Sequence, residues 1–364
     1  MLNRLVNEAQ FRLLIKTTGP ILVQSGQATV NGANMTPMVT YRSGNAEVFL
    51  PGSSLKGVFR SHLEKIICSV EPQVVCDPFW SLSGSHRRTE NLETRQRDFL
   101  PSCGDEFKRR KDRFKKSQGE RRQADFPELD ESNDPTRTNV IYRDSCPTCR
   151  LFGSTSFIGR VSISDAYLVS ADQGLVERRD GVGIDRLTGG ASHSAKFDAD
   201  VVRPGVEFLT TIYIRNFEIW QLGMLFQVVR DLEAELVRIG SGRSRGLGMV
   251  KASIDMQERD GQQGGVTTST ISGGSEPPDQ LWGLGRWLYE KRDDSYGTWP
   301  NDFLEESIPA PMPDEVGMRS SRVFAGETLR SLQNGAIKQF LTRIRNWNAR
   351  PVFPEMARAD VQEV

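Results

Sequence analysis

The stretch Leu50-Pro51-Gly52-Ser53-Ser54-Leu55-Lys56-Gly57-Val58-Phe59-Arg60-Ser61 constrains the fold of this chain more than any other. Glu47 to Leu50 reads as the end of a strand. Pro51 then removes a ladder donor, Gly52 permits a sharp reversal, and Ser53 or Ser54 can cap the helix that follows. Leu55, Val58, Phe59, Leu63, Ile66 and Ile67 recur at helical spacing and make one apolar stripe. Lys56 and Arg60 lie on another face, near the positive end of the helix dipole. Free backbone N–H groups, two hydroxyls and two cations at one helix N-terminus suit a phosphate. A plain capped helix with a solvated lysine and arginine fits the same residues.

Charge narrows the possibilities. The 364 residues carry 47 Lys+Arg and 47 Asp+Glu, so any affinity for nucleic acid must come from local patches. No apolar run approaches a membrane span, and Met1-Leu2-Asn3-Arg4 opens no signal-peptide pattern. A soluble, cytoplasmic protein without a membrane partner is expected. The 5 cysteines include Cys146-Pro147-Thr148-Cys149, and an odd number in such a chain favours metal or free thiols over disulfides.

The apolar periods follow one another in a definite order. A strand is expected within 9–24, the helix after Pro51, a strand at 159–168, a long hairpin, a strand at 205–214, a helix at 218–238 and a strand at 249–254. That is the order of an α+β, ferredoxin-like or RRM-like βαββαβ domain, here residues 1–254. Between about 68 and 149 the helical and strand periods are lost. This insertion carries the cationic run from Phe107 to Lys116, which reads as a solvated loop or as a binder of nucleic-acid backbone. The Gly/Ser/Thr-rich stretch 255–280 reads as a linker, and 281–364 as a C-terminal extension. Its last helix, with Leu329, Leu332, Ala336, Phe340 and Ile344, would pack on its own chain or on a neighbour.

Two further groups carry chemistry. The loop Gly240 to Gly248 holds four glycines with Arg243, Ser244 and Arg245, so backbone and forked donors can approach a phosphate; a tight helix-to-strand turn is the plainer alternative. Cys146 and Cys149 have metal-ligand spacing, and a tetrahedral structural zinc needs two more ligands, for which Cys76 and Cys103 are chosen, with Cys68 and His86 as substitutes. Such a zinc would give shape to a polar insertion. None of the 3 histidines, His62, His86 and His193, sits beside a nucleophile pattern.

Taken together, Leu50 to Ser61, Cys146 to Gly153, Ile184-Asp185-Arg186-Leu187-Thr188-Gly189 and Gly240 to Gly248 resemble the RAMP superfamily of CRISPR-associated proteins. The nearest likeness is to the repeated backbone subunit of type III effector complexes, over about residues 9–254. The resemblance implies an RRM-like palm that stacks along a CRISPR RNA beside other RAMP subunits and a large subunit. Ser53, Ser54, Lys56, Arg60, Arg186, Arg243, Ser244 and Arg245 would then contact RNA, and the hairpin at about 180–206 would be a thumb between guide and target RNA. Family members that cut target RNA use an aspartate with a divalent metal, and this chain has Met35 where that pattern puts the acid. A thioether neither takes a proton nor binds magnesium well. The chain has no aspartate before Asp77, so a non-catalytic subunit is expected, with Mg2+ only if Glu47, Asp77 or an acid of the insertion takes over. A guide-processing nuclease with a histidine base is a further alternative.

Overall fold

The computed structural model describes residues 4–25, 35–42, 44–80, 99–121, 134–170, 175–259, 261–271, 276–293, 295–305, 307–314 and 317–347. Within them the chain is mixed α and β, with seven helices and one main antiparallel sheet. The strand Asn7–Thr17 is its axis. One edge of that strand pairs with Glu207–Arg215; the other pairs with Val250–Ile254 along Leu13–Thr17 and with Val266–Ile271 along Asn7–Phe11. Val161–Ile163 and Tyr167–Leu168 extend the sheet beyond Glu207–Arg215, and Arg319–Phe324 extends it beyond Val266–Ile271. Reading across, the order is 250–254, 7–17, 207–215, 161–163, every pair antiparallel.

Alternation decides which face is covered. Ala9, Phe11, Leu13 and Ile15 point to one side and are buried there, Phe11 with its ring 5.8 Å from that of Phe226. On the other side Glu8 pairs with Arg319, Arg12 with Asp255 and Lys16 with Glu207. The helix Gly52–Val70 buries Leu55, Val58, Phe59, Leu63 and Ile67, and the helix Ile219–Glu233 buries Trp220, Leu222, Leu225, Phe226, Val229 and Leu232. The helix Gly326–Arg345 packs beside Ile219–Glu233. A Cβ on Gly223 would stand 2.1 Å from the Ala336 carbonyl, so only glycine lets these two helices approach so closely.

Several expectations give way here. The stretch expected as a linker holds the strand Val266–Ile271; Val266, Thr268 and Thr270 alternate inward, and β-branched threonine fits a pleated surface as well as valine does. The cationic run is not a loop but part of the helix Cys103–Arg121, of which Phe107 is wholly buried. The insertion also carries the helix Thr138–Asp144 and runs into Pro147–Phe152, and its buried residues, Val75, Phe107 and Ile141 among them, join the main core. The hairpin is Val176–Ile184 paired with Ala191–Val202, longer at its base than expected. Residues of 281–347 pack on the same chain: Trp347 meets Trp220 at 5.4 Å and Trp299 at 5.5 Å between ring centres. Among the described residues no helix is long and apolar enough to cross a membrane.

Candidate metal centre and nucleic-acid interface

The Cys146 to Cys149 spacing works because a helix starts between the two. Cys146 is the N-cap, Pro147 takes the first helical position, and the Cys149 N–H donates to the Cys146 Sγ at 3.4 Å. Cys76 follows the first helix and Cys103 begins the next one. All four are buried, and their Sγ atoms lie within 4.8 Å of one another. The Cys76 Sγ stands 3.4 Å from that of Cys149 and 3.6 Å from that of Cys146. A disulfide would need about 2.05 Å. A tetrahedron of thiolates on zinc, with bonds of about 2.3 Å, spaces its sulfurs at about 3.8 Å. The four cysteines could therefore hold a metal such as zinc. The four thiols are coupled: hydrogen bonds among them bring Cys146 well below the usual thiol range against its burial, and with burial hold Cys76 and Cys103 well above it. Cys68 is half-buried on the first helix outside this set, and His86 lies outside the described residues.

Arg60 faces this centre. Its Nη2 donates to the Cys149 Sγ at 3.4 Å, Nη1 to the Gly153 carbonyl at 3.1 Å and Nε to Glu64 Oε1 at 2.7 Å. Burial works against its charge, but Cys149 and then Glu64 outweigh it, so the guanidinium is held charged. Burial raises Glu64 above the usual carboxylate range against the pull of Arg60. Lys56 donates to the Val161 carbonyl at 3.1 Å, and burial, then Arg60, lowers its pKa. Of the two cations expected at the helix start, one is turned to the cysteines and one to the sheet edge.

The expected serine cap is not made. Pro51 occupies the N-cap, Ser53 and Ser54 stand in the first turn, and the Gly52 N–H donates to Asp165 Oδ1 at 2.7 Å. Ser54, Gly57 and Ser61 instead form one wall of a cleft of about 520 Å³ whose other wall is Gly240, Ser241 and Arg243. The two segments expected to bind phosphate thus share a cavity. Gly240 makes the second wall possible: its φ is +89°, and a Cβ there would meet the Leu22 carbonyl at 2.3 Å. Arg243, Ser244 and Arg245 are exposed on a 3-10 turn between Gly242 and Gly246, both left-handed. The Arg243 Nε donates to the Gly240 carbonyl at 2.9 Å, leaving the rest of the fork to solvent and ligands. Arg245 lies over the Phe197 ring, 5.0 Å from its centre, and ties the loop to the hairpin.

At the hairpin tip Asp185 Oδ1 accepts from the N–H groups of Leu187 and Thr188 at 2.9 and 2.8 Å. These bonds, that of Thr188 first, hold its carboxyl below the usual range. Gly189 takes φ +68° to close the turn. Arg186 and Leu187 are left projecting, the latter 96 % exposed.

Met35 packs at the base of the same hairpin, against the cluster of Leu22, Ala199 and Val201, and its carbonyl accepts from the Asp200 N–H at 2.9 Å. Glu47 is paired with Arg42 at 3.6 Å on the ribbon of Val39–Arg42 and Asn45–Val48, and Asp77 follows Cys76 in the cysteine segment. His62 Nε2 is 2.7 Å from Asp231 Oδ2, bracing the two sheet-packed helices. His193 lies in the strand Ala191–Val202.

A family model of the RAMP superfamily matches residues 14–251. The chain belongs to the RAMP superfamily. Membership implies a CRISPR-associated role in binding RNA, within RNA–protein complexes. No curated protein matches this RAMP chain. Its match runs from the central strand to the strand after the Gly-rich loop, and so includes the cysteine centre and both walls of the cleft. Three participants in these sites escaped the sequence reading. Asp165 caps the first helix across 113 residues, Glu64 shares Arg60, and Phe197 carries Arg245. Only Glu64 had a local signal, its i,i+4 spacing from Arg60.

Proposed function

We propose that this RAMP protein is a non-catalytic, CRISPR-RNA-binding backbone subunit of a type III effector ribonucleoprotein in antiviral defence. The observation that carries the reading is the cleft between Ser54, Gly57 and Ser61 on one helix and Gly240, Ser241 and Arg243 on the facing loop. Two hydroxyl-bearing, glycine-lined walls with a forked cation at the rim suit a sugar–phosphate backbone. The antiparallel order 250–254, 7–17, 207–215, 161–163, with the two long helices on one face, supports an RRM-like palm for residues 1–254. In this reading the hairpin with Arg186 at its tip is the thumb, residues 281–364 are a C-terminal extension, and the cysteines hold a structural Zn2+. Target RNA, other RAMP subunits and a large subunit are the partners, in the cytoplasm.

Zinc, when bound, would supply a cross-link between segments otherwise far apart in the chain. Cys76, Cys103, Cys146 and Cys149 would hold it, and beside them the bonds from the Glu106 N–H to the Ser102 carbonyl and from the Cys149 N–H to the Cys146 Sγ keep the helix starts at Cys103 and Pro147 in place.

The Met35 side chain argues against cutting at the usual position. One observation keeps a second reading alive, that of a target-RNA endonuclease with a displaced carboxylate and a divalent metal. Asp198 and Asp200 lie on the strand that pairs with Met35, where Arg178 binds them at 3.8 and 3.2 Å. The assembled complex, given labelled complementary RNA in magnesium, separates the two. Wild type is expected to leave the RNA whole and Met35→Asp to introduce a cut. A wild-type cut that Asp200→Ala abolishes would establish the second reading instead.

A further inference from the structure

The helix Gly52–Val70 serves two sites at once. Gly57 and Ser61 line the cleft, while Arg60, between them in sequence, leaves the helix towards the cysteines. Its side chain is 19 % exposed, and all three of its nitrogens are engaged, with Cys149, Gly153 and Glu64. The Gly153 carbonyl belongs to the residue that ends the Cys146–Cys149 helix. One guanidinium therefore spans a cluster sulfur, the backbone beyond it and a carboxylate of its own helix.

Four thiolates around a divalent cation carry two net negative charges. Buried charge of that kind is costly unless cations or N–H donors face it. Arg60 supplies both a full positive charge and a directed donor to Cys149. It is too committed to turn to a phosphate without leaving a buried sulfur and a buried carboxylate unpaired.

We propose that Arg60 is a positioning residue of the metal centre, neutralising the tetrathiolate at Cys149 and, through the rigid helix, fixing Gly57 and Ser61 at the RNA cleft. The inference rests on the zinc and RNA readings above. Metal occupancy and RNA affinity are then linked through one side chain.

The test uses the full chain loaded with zinc. Zinc content, zinc retention against a chelator, and RNA binding across a salt series are measured for wild type, Arg60→Lys and Arg60→Ala, with a thermal melt to exclude unfolded variants. Arg60→Ala is expected to hold zinc about 10- to 100-fold more weakly, as loss of a ligand-orienting partner does elsewhere. Arg60→Lys, which keeps the charge without the fork, should fall between. RNA affinity should drop with zinc loss, return in excess zinc, and keep the wild-type salt slope. A salt slope lower by about one with zinc retention unchanged would overturn the proposal, since that is the mark of a phosphate contact. If wild type binds no zinc, the metal reading fails and this proposal with it; if zinc is held equally by all three proteins, the Arg60 assignment alone fails.

Discussion

Asp165 closes the N-terminus of a helix it does not belong to: its Oδ1 accepts from the Gly52 N–H at 2.7 Å, across 113 residues of chain. A carboxylate at the positive end of a 19-residue helix is favoured by the free N–H groups and by the dipole. The cap also joins the cleft helix to the turn after Val161–Ile163. Asp165→Ala is expected to cost about 1 kcal/mol in denaturant unfolding, while Asp165→Asn keeps the acceptor and loses less. Equal, negligible losses in both would mean that the contact contributes nothing.

The exposed arginines of the cleft loop should behave as phosphate contacts. Arg243→Ala and Arg245→Ala are each expected to weaken binding to unrelated single-stranded RNAs by a similar factor and to lower the salt slope by about one. Phe197→Ala should reproduce part of the Arg245 loss, because it removes the ring on which that guanidinium rests. Sequence-dependent losses in a filter-binding series would point to base contacts instead.

Gly240→Ala tests the close approach of the loop. A methyl group at φ +89° facing the Leu22 carbonyl at 2.3 Å forces the loop outward. RNA affinity should fall more than for either arginine variant, with a loss of stability on the order of 1–3 kcal/mol. Retained affinity and an unchanged melt would show that the loop accommodates a side chain.

The cysteine centre should be visible in metal content. One zinc per chain is expected by elemental analysis, and Cys146→Ser should lose it together with a cooperative part of the melting transition. Chelator treatment of wild type should produce the same melt as the variant. A metal-free wild type with that full transition would exclude a structural zinc.

Buried carboxylate chemistry sets a pH dependence. Asp302 is wholly buried, its two oxygens accepting from the N–H groups of Ile219 at 2.8 Å and Gly285 at 2.9 Å. Burial, then the neighbouring Glu218 carboxylate, pushes its pKa up to about 8 from a usual 3.8. The native state then holds a proton that the unfolded state releases, so stability is greatest below about pH 4 for this group and is lost as pH rises through about 8. Asp302→Asn should be less stable at low pH, having one acceptor fewer, but flatter from pH 5 to 8. Parallel pH profiles for the two proteins in urea unfolding would assign the slope to another group.

Periodicity made much of this legible. Leu55, Val58, Phe59, Leu63 and Ile67 announced a buried helix face because each contributes apolar surface every third or fourth residue. Cys146 and Cys149 announce a shared ligand through their separation, and Cys76 and Cys103 join them as the cysteines that lie in the same insertion. The helix Cys103–Arg121 stayed hidden because its described buried residues, among them Cys103 and Phe107, are too few to print a stripe against so many charges. Val266–Ile271 stayed hidden for a different reason: threonine and serine pack on a sheet yet compose like a linker. A sequence gives the helix face on which Arg60 lies, but not that its guanidinium donates to the Cys149 Sγ and the Gly153 carbonyl.

The central strand has a bearing on how the protein is made. Glu8 pairs with Arg215, and Asn7 with Thr270, so the strand Asn7–Thr17 finds its neighbours only about two hundred residues or more further along the chain. At about 5–20 residues per second a ribosome needs on the order of ten seconds or more to reach them. During that interval Phe11, Leu13 and Ile15 stand on a strand with both edges bare. A translational pause placed before residue 207 prolongs that interval and is expected to raise aggregation of the nascent chain.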